Sequence, residues 1–254
     1  MSQLRQAVRG FGTSLLSPLP RSAEPELLDA ADPDPAELAE NFRDIQRVNQ
    51  LLGGRSIILR HLPPLLAAIP ARQPVTLLDL ATGVADIPLA VLRWAERRDL
   101  AVTIVASDCS IPVLNLARER VAGHPAISLA RHDARAVPLP DKRFDVVLCS
   151  LALHHFTPDD AGRVLREMDR LASVGFILND LRRDRLGYAA AWIASRLTTR
   201  NRLTRHDAPL SVRRAYTPDE LAGLLRRAGI GNVTITTHPW FRMAAVKIGG
   251  DCHA

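Results

Sequence analysis

A short turn flanked by acids carries the clearest chemical signal in the chain. Residues 77–86 read LLDLATGVAD, in which Asp79, Gly83 and Asp86 follow or end an apolar run. A strand that turns into a helix in this way is where α/β proteins bind nucleotides. A dinucleotide loop needs glycines at three fixed offsets, so that backbone can approach a pyrophosphate. Here alanines replace two of them and Asp86 would repel phosphate, so the turn favours a ligand with little or no phosphate.

Two further acids follow the next two predicted strands. Asp108 lies 25 residues after Gly83 and can accept hydrogen bonds from ribose hydroxyls. Asp133, in His132-Asp133-Ala134, could accept from an adenine amino group or be a surface acid. The ligand implied has adenine, ribose and positive charge near Asp79 and Asp86. S-adenosylmethionine, which carries a sulfonium and an amino group, has this chemistry.

Candidate acid–base residues lie after the fourth and fifth predicted strands. His154 and His155, in SLALHHF, could act as a general base near neutral pH or be structural hydrogen-bonding residues. Asn179 and Asp180 end the fifth strand and could contact an acceptor molecule or cap the next element. No third metal ligand is obvious after the fourth strand, so we expect no metal.

The pattern of the remaining chain places these residues on one fold. Apolar runs predict strands at 75–80, 102–107, 126–130, 144–150 and 174–179, with helices near 86–98, 111–121 and 158–172. Continuous apolar strands interleaved with helices are typical of a parallel, doubly wound sheet. After a helix at 217–228, the sequence VTITTHPWFRMAAVKI predicts an antiparallel hairpin at the sheet edge. The fold class is therefore α/β.

The N-terminal part is predicted to lie outside this alternation. Residues 1–33 are rich in proline and acids, so we expect poor order, although Leu27 and Leu28 could dock. A helix begins after Asp34, because Asp34-Pro35-Ala36-Glu37 combines an N-cap, a first-position proline and a glutamate. A second helix is predicted at 55–69, with a break or kink at Pro63-Pro64.

Residues 182–216 interrupt the alternation after the fifth strand. They contain an apolar helix candidate at 188–197 followed by a polar stretch that we interpret as a loop. We expect a lid over an acceptor pocket, with the apolar face of 188–197 inward and Trp192 and Tyr216 near the acceptor. Simple core packing is the alternative.

The net charge of +6 is concentrated in the same region, since residues 182–227 hold 11 arginines and 4 acids. A solvated face, an anionic substrate or an anionic membrane surface would each account for it. Nucleic acid is disfavoured, because aromatic residues are few and no nucleic-acid motif is present. Three scattered cysteines and the lack of a long apolar run favour a reducing cytosol.

In the order and spacing of these motifs, about residues 55–250 resemble a class I S-adenosylmethionine-dependent methyltransferase of the small-molecule, quinone-methyltransferase-like group. The resemblance implies a Rossmann-like sheet of seven strands with the last antiparallel. It divides the chain into an extension with a capping helix, 1–54, and a methyltransferase domain, 55–254. The implied cofactor-binding residues are Asp79, Ala81, Gly83, Asp108, Cys109, Asp133, Ala134 and Ser150.

The function implied is methyl transfer to a small, largely apolar acceptor of phenolic, polyketide or quinone-like chemistry, in a secondary-metabolite setting. A non-catalytic protein that keeps the fold is one alternative, supported by the missing glycines. An NAD-dependent oxidoreductase is a second, which the glycine-poor loop disfavours. The oligomeric state cannot be read from the sequence.

Overall fold

The computed structural model describes residues 18–29, 34–70 and 73–249. Its centre is one mixed sheet in the order β3-β2-β1-β4-β5-β7-β6. The strands are β1 Val75–Leu80, β2 Val102–Asp108, β3 Ile127–Arg131, β4 Phe144–Ser150, β5 Ala172–Leu181, β6 Val233–His238 and β7 Arg242–Ile248. The first five run parallel, and β7 pairs antiparallel with both β5 and β6. The predicted α/β class and the antiparallel last strand are confirmed.

Eight α-helices surround the sheet within the described residues. They are α1 Pro35–Leu51, α2 Gly54–Leu66, α3 Asp86–Glu96, α4 Ile111–Val121, α5 Pro158–Leu171, α6 Arg185–Thr198, α7 Arg202–Arg214 and α8 Pro218–Arg227. Apolar side chains of α2, α3 and α4 pack on one face of the sheet. Those of α5 and α8 pack on the other face, so the central strands are buried on both sides, as their continuous apolar runs require.

Side-chain caps begin several of these helices where the sequence predicts them. Asp34 accepts a hydrogen bond from the Glu37 N–H at the start of α1. Thr217 and Glu220 form a complete capping box on α8, with Pro218 in the first turn. Pro63 and Pro64 do not break α2, since the helix continues to Leu66.

Two other predictions about local structure are wrong. The polar stretch after residue 198 forms α7 rather than a loop, with Leu203 and Leu210 on its buried side and Pro209 inside it. Residues 18–29, which we call the strap, are packed rather than poorly ordered, and Leu27–Asp29 form a 3-10 helix. Residues 1–17 and 30–33, expected to be poorly ordered as well, lie outside the described residues. The predicted division into 1–54 and 55–254 stays a prediction.

None of the helices in the described part of the chain is long and apolar enough to span a bilayer.

Candidate active site at the carboxyl edge of the sheet

The turn between β1 and α3 adopts a conformation that usually needs glycine. Ala81, Gly83 and Ala85 all have left-handed backbone angles, with φ of +52°, +58° and +59°. Left-handed geometry costs alanine about 1–2 kcal/mol, because its Cβ approaches the following carbonyl oxygen. The alanines therefore occupy the conformation of the missing glycines at some cost in stability.

Asp108 holds this turn from the end of the neighbouring strand. Its Oδ2 accepts a hydrogen bond of 3.0 Å from the Gly83 N–H, and its Oδ1 accepts one of 3.0 Å from the Ser110 N–H. Burial raises the pKa of Asp108, and these backbone donors oppose the rise. A carboxylate has about four lone-pair sites, so Asp108 keeps capacity for further donors.

The most perturbed carboxyl group of the turn is Asp79, at the end of β1. The Thr82 hydroxyl lies 2.6 Å from its Oδ2, whereas its buried Oδ1 has no hydrogen-bond partner. Burial, together with the nearby Asp86 and Asp108 carboxylates, raises the pKa of Asp79 to about 8. Among the described residues no cation forms an ion pair with Asp79, so an ionised Asp79 requires a cation from a ligand.

Asp79 begins a row of polar side chains on one face of the sheet. Alternate residues of a strand share a face, and Leu77, Leu148, Ile177 and Ala244 belong to the apolar cluster on the α2–α4 face. Two residues away from each along its strand, on the same face, stand Asp79, Ser150, Asn179 and Arg242. The strands concerned, β1, β4, β5 and β7, are neighbours, so the row crosses the carboxyl edge.

Several atoms in this row lack partners. Asn179 donates to Ser150 Oγ at 2.8 Å, but its buried Oδ1 is unpaired. Arg242 is 1% exposed, donates through Nη2 to Asn49 at 3.3 Å, and leaves its Nε and Nη1 unpaired. Burial lowers the pKa of Arg242 to about 10. Arg242 and Asp79 are thus a buried cation and a buried carboxyl group with unpaired polar atoms. A zwitterionic ligand could pair with both groups.

Helices α1 and α2 close this side of the site. Asn49 donates to Asp86 Oδ2 at 3.2 Å, and Arg55 Nε lies 3.6 Å from the same oxygen. Asp86 is thus already paired, although burial raises its pKa. A Cβ on Gly83 would stand 3.1 Å from the ring of Phe42, so α1 lies directly over the turn.

The residues expected near an adenine lie at the ends of β2 and β3. Ala134 is buried, and Cys109 is exposed with its carbonyl accepting from Arg131 Nε at 3.2 Å. Asp133 forms an ion pair with Arg135, with Nη2 to Oδ2 at 2.6 Å, and this hydrogen bonding lowers its pKa. Asp133 therefore has a strong partner already within the protein.

His154 and Asp180 form a buried pair on the opposite face of the sheet. His154 Nδ1 lies 2.7 Å from Asp180 Oδ1, and the His154 N–H donates to Asp180 Oδ2 at 2.9 Å. Burial opposes ionisation of Asp180, but His154 keeps its pKa below the usual value. This arrangement orients the imidazole and leaves Nε2 as the ring nitrogen that can exchange a proton with another group.

The strap crosses the site and meets both histidines. Glu26 Oε1 lies 3.7 Å from His154 Nε2, and Glu26 Oε2 lies 3.7 Å from His155 Nε2. His155 Nδ1 lies 3.0 Å from Asp29 Oδ1. Burial disfavours the charged form of His155, but the Glu26 and Asp29 carboxylates outweigh it and raise its pKa to about 9.

Glu26, His154 and His155 also form a group of potential metal ligands, with one ligand atom from each within 4.8 Å of the others. The sequence-based prediction of no metal did not include Glu26. The Arg214 guanidinium already lies 3.7 Å from Glu26 Oε1. The raised pKa of His155 also opposes the neutral ring that metal binding requires. We therefore interpret the group as an acid–base cluster.

Arginines and backbone groups fix the strap in this position. Arg21 donates through Nε to the Arg214 carbonyl at 2.6 Å and through Nη2 to the Phe156 carbonyl at 2.8 Å. The Leu27 and Leu28 N–H groups donate to the Asp207 carboxylate at 2.8 and 2.9 Å. No sequence pattern links these partners, which are up to 193 positions apart. Sequence reasoning therefore missed Arg21, Glu26, Asp29, Arg214 and Arg242.

The two aromatic residues expected near the acceptor have different positions. Tyr216 is 2% exposed, lies under Arg21 at 4.2 Å and donates to the Phe156 carbonyl at 2.8 Å. Burial raises its pKa to about 12. Trp192 lies on the outer surface of α6, 44% exposed. The predicted inward orientation of the apolar face of 188–197 is therefore wrong, because only Gly187 and Ser195 of α6 are buried.

The chain is similar in sequence to known methyltransferases. A family described as "Methyltransferase domain" matches residues 77–175. A demethylmenaquinone methyltransferase of Roseiflexus castenholzii is 31% identical over 62% of this chain and 68% of its own. A ubiquinone/menaquinone biosynthesis C-methyltransferase of Stenotrophomonas maltophilia is 36% identical over 39% of this chain, which spans only 38% of that relative's length.

Solved structures share the fold at lower identity. Human N-acetylserotonin methyltransferase aligns with a TM-score of 0.61 and 17% identity, over 85% of this chain and 57% of that one. A S-adenosylmethionine-dependent methyltransferase from Aquifex aeolicus aligns with a TM-score of 0.52 and 16% identity, over 85% and 98% of the two chains.

Proposed function

The chain belongs to the class I S-adenosylmethionine-dependent methyltransferases, and from that premise we propose that it methylates a small, largely apolar acceptor. The acceptor class we favour is phenolic, polyketide or quinone-like, with an acidic hydroxyl or an enol carbon as the nucleophile. The quinone-directed names of the relatives from Roseiflexus and Stenotrophomonas support this class. The methyl-accepting atom stays open among oxygen, carbon and nitrogen.

The observation that carries the proposal is the unpartnered Oδ1 of buried Asp79. The residues present fit the cofactor, because its sulfonium and ammonium groups supply the positive charge that Asp79 needs. Asp108 would accept from ribose hydroxyls with its remaining lone pairs. Ala81, Gly83, Ser150 and Cys109 would line the cofactor, with Asp133 and Ala134 at the adenine.

When bound, S-adenosylmethionine supplies a methyl group on a sulfonium, which is already an activated leaving group. The protein therefore has to align the acceptor, exclude water and remove a proton. We assign proton removal to His154 Nε2, because Asp180 holds Nδ1 and so orients the ring. His155 is the less suited of the two candidates, since its raised pKa keeps it protonated at neutral pH.

The strap covers the proposed base, because Glu26 lies beside His154, which is 3% exposed. Glu26 lies 3.7 Å from His154 Nε2. An acceptor hydroxyl that reaches His154 must therefore displace the Glu26 carboxylate. We expect the strap to lift for acceptor entry and to close during turnover.

The cofactor assignment is tested by thermal unfolding with S-adenosylhomocysteine, NAD or buffer alone. Ligand at about 100-fold above its dissociation constant stabilises by about 2.7 kcal/mol. We expect stabilisation by S-adenosylhomocysteine and none by NAD. Stabilisation by NAD alone would instead support the oxidoreductase alternative.

The catalytic assignment is tested by His154→Ala in a methyl-transfer assay over a panel of phenols, resorcinols and hydroquinones. Loss of a general base should lower kcat by about 10²–10⁴-fold while S-adenosylhomocysteine affinity is kept. His124→Ala is the matched control, because His124 precedes β3 at the opposite edge of the sheet. Cofactor binding by wild type without turnover of any acceptor would support the non-catalytic alternative.

A further inference from the structure

Four of the ten large hydrophobic side chains that are exposed among the described residues lie on the outer surface of α6. Leu186, Trp192, Ile193 and Leu197 are 72%, 44%, 51% and 80% exposed. Leu186, Ile193 and Leu197 are spaced by seven and four residues, so they lie on one line along the helix. Ala189, Ala190 and Ala194 fill the surface between them and are exposed too. The result is an apolar stripe about three helical turns long.

The inner side of α6 carries small residues where it packs against the protein. A Cβ on Gly187 would stand 2.8 Å from Phe241 Cγ, so this part of α6 approaches the β6–β7 turn closely. Ser195 is also buried and donates to the Trp192 carbonyl at 3.1 Å. Small residues thus form the packed side and large apolar residues the exposed side, which is the reverse of a surface helix that serves the core.

Positive charge surrounds this stripe. Residues 182–202 contain six arginines and one acid, Asp184. Arg185, Arg196 and Arg200 are exposed, whereas Arg183 is buried against Glu220 and Arg202 pairs with Glu37. Arg196 stacks over the Trp192 ring at 4.1 Å, which keeps its guanidinium beside the apolar face. Trp240, 60% exposed, lies in the β6–β7 turn next to Phe241 and so borders the start of α6. Apolar stripe, basic rim and exposed tryptophans occur together on this one face.

We propose that this face, defined by α6 and Trp240, binds the surface of an anionic lipid bilayer. An interfacial helix lays an apolar stripe among acyl chains, while basic residues pair with anionic headgroups. Tryptophan prefers the boundary between the two regions. A second copy of the chain fits less well, because the same face on both partners would oppose two rims of arginines.

The position of the face relates this surface to the candidate active site. Helix α6 begins four residues after Leu181, the last residue of β5, and Asp180 of that strand holds His154. The bilayer and the carboxyl edge of the sheet would therefore lie on the same side of the molecule. An acceptor dissolved in lipid would reach the base without crossing bulk water. The lipid contact itself does not depend on the proposed methyl transfer.

Cosedimentation with vesicles tests the proposal. We expect binding to vesicles of phosphatidylcholine mixed with phosphatidylglycerol and little binding to phosphatidylcholine alone. Raising salt from about 0.05 to about 0.5 M should weaken binding, because the Debye length falls well below 10 Å. Equal binding to both vesicles, or binding to neither, would overturn the proposal.

Two matched pairs of variants test the face. Ile193→Gln should weaken vesicle binding by about tenfold, whereas Ile248→Gln should not, although Ile248 is similarly exposed at 47%. Ile248 pairs with Gly175 at the start of β5, which places it at the opposite edge. Arg196→Gln should reduce the salt-sensitive binding. Arg98→Gln, which removes a similar stack on Trp94 at 4.4 Å, should not.

These side chains are exposed, so the variants should keep wild-type circular dichroism and thermal unfolding, which are measured in parallel. Equal weakening by a variant and its control would show that the α6 face is not the site. Sedimentation velocity tests whether a second copy of the chain binds this face instead. A dimer that Ile193→Gln dissociates, without any vesicle binding, would assign the face to a second copy and overturn the lipid proposal.

Discussion

Asp79 makes the free energy of unfolding depend on pH in a particular direction. In the unfolded chain an aspartate is ionised above about pH 4, whereas in the folded chain Asp79 keeps its proton until about pH 8. The folded state therefore binds more protons across this range, and stability falls as pH rises from about 4 to about 8. Asp79→Asn should remove that fall, measured by urea unfolding at several pH values.

The same group should make cofactor binding depend on pH in the opposite direction. The ammonium group of S-adenosylhomocysteine favours ionised Asp79, so affinity for this ligand should rise from pH 6 towards 8 in the wild type, measured by calorimetry. The neighbouring Asp86 and Asp108 carboxylates remain in the Asn variant, which should bind weakly and without this dependence. A wild-type affinity that stays constant over this range would contradict the assignment of Asp79.

Arg242 is the residue that we expect to meet negative charge. Its unpaired Nε and Nη1 lie in the row that begins at Asp79, and the carboxylate of the cofactor is a suitable partner. Arg242→Met should weaken S-adenosylhomocysteine binding by about tenfold or more. Binding of methylthioadenosine, which lacks the amino-acid carboxylate, should not change. A higher acceptor KM with unchanged affinity for both nucleosides would place the anion on the acceptor instead.

The β1–α3 turn, at the scale of an element, carries strain that a substitution can release. Ala81→Gly and Ala85→Gly should each stabilise the protein by about 0.5–1 kcal/mol, because glycine adopts positive φ without a Cβ penalty. Cofactor binding should persist. Ala90→Gly, in the interior of α3, is the control and should destabilise by about 1 kcal/mol. Loss of S-adenosylhomocysteine binding in either turn variant would show that the alanines are adapted to the ligand.

Elements with strong local patterns were predictable from the sequence. Continuous apolar runs located β1 and β4 to the residue, and the capping pattern of Thr217 to Glu220 located α8. The helix α7 was missed because its arginines, threonines and Pro209 have no helical pattern, and its formation depends on packing against the strap and α6. The direction of the α6 stripe was missed because periodicity shows that a helix has an apolar face but not what the face contacts.

Residues of the candidate site divide in the same way. Asp79, Gly83 and Asp108 follow strand ends, where position in the sequence determines position in the sheet. Glu26 and Arg242 reach the site through contacts between distant parts of the chain, which no local pattern encodes. The unpaired state of Asp79 Oδ1 depends on burial by several elements, so only the structure shows it.

At the scale of the whole molecule, the strap contacts both α7 and the two histidines. Asp207 accepts from both the Leu27 and Leu28 N–H groups, so Asp207→Ala should release this end. Hydrogen exchange in residues 21–29 should become about tenfold faster or more, while exchange in β1 and β4 is unchanged. Asp219→Ala, an exposed acid on α8, is the control. Strap exchange that stays as slow as in the wild type would show that other contacts hold it.

The positions of the three tryptophans allow intrinsic fluorescence to report on the α6 face. Trp94 is 7% exposed within α3, whereas Trp192 and Trp240, the remaining two, are both on the α6 side. Indole emission shifts to shorter wavelength when water leaves the ring. Unlabelled protein should therefore report contact with that side as a blue shift, while Trp94 contributes a constant background. Trp94→Phe would leave only Trp192 and Trp240, so that tryptophan emission would report on the exposed α6 side alone.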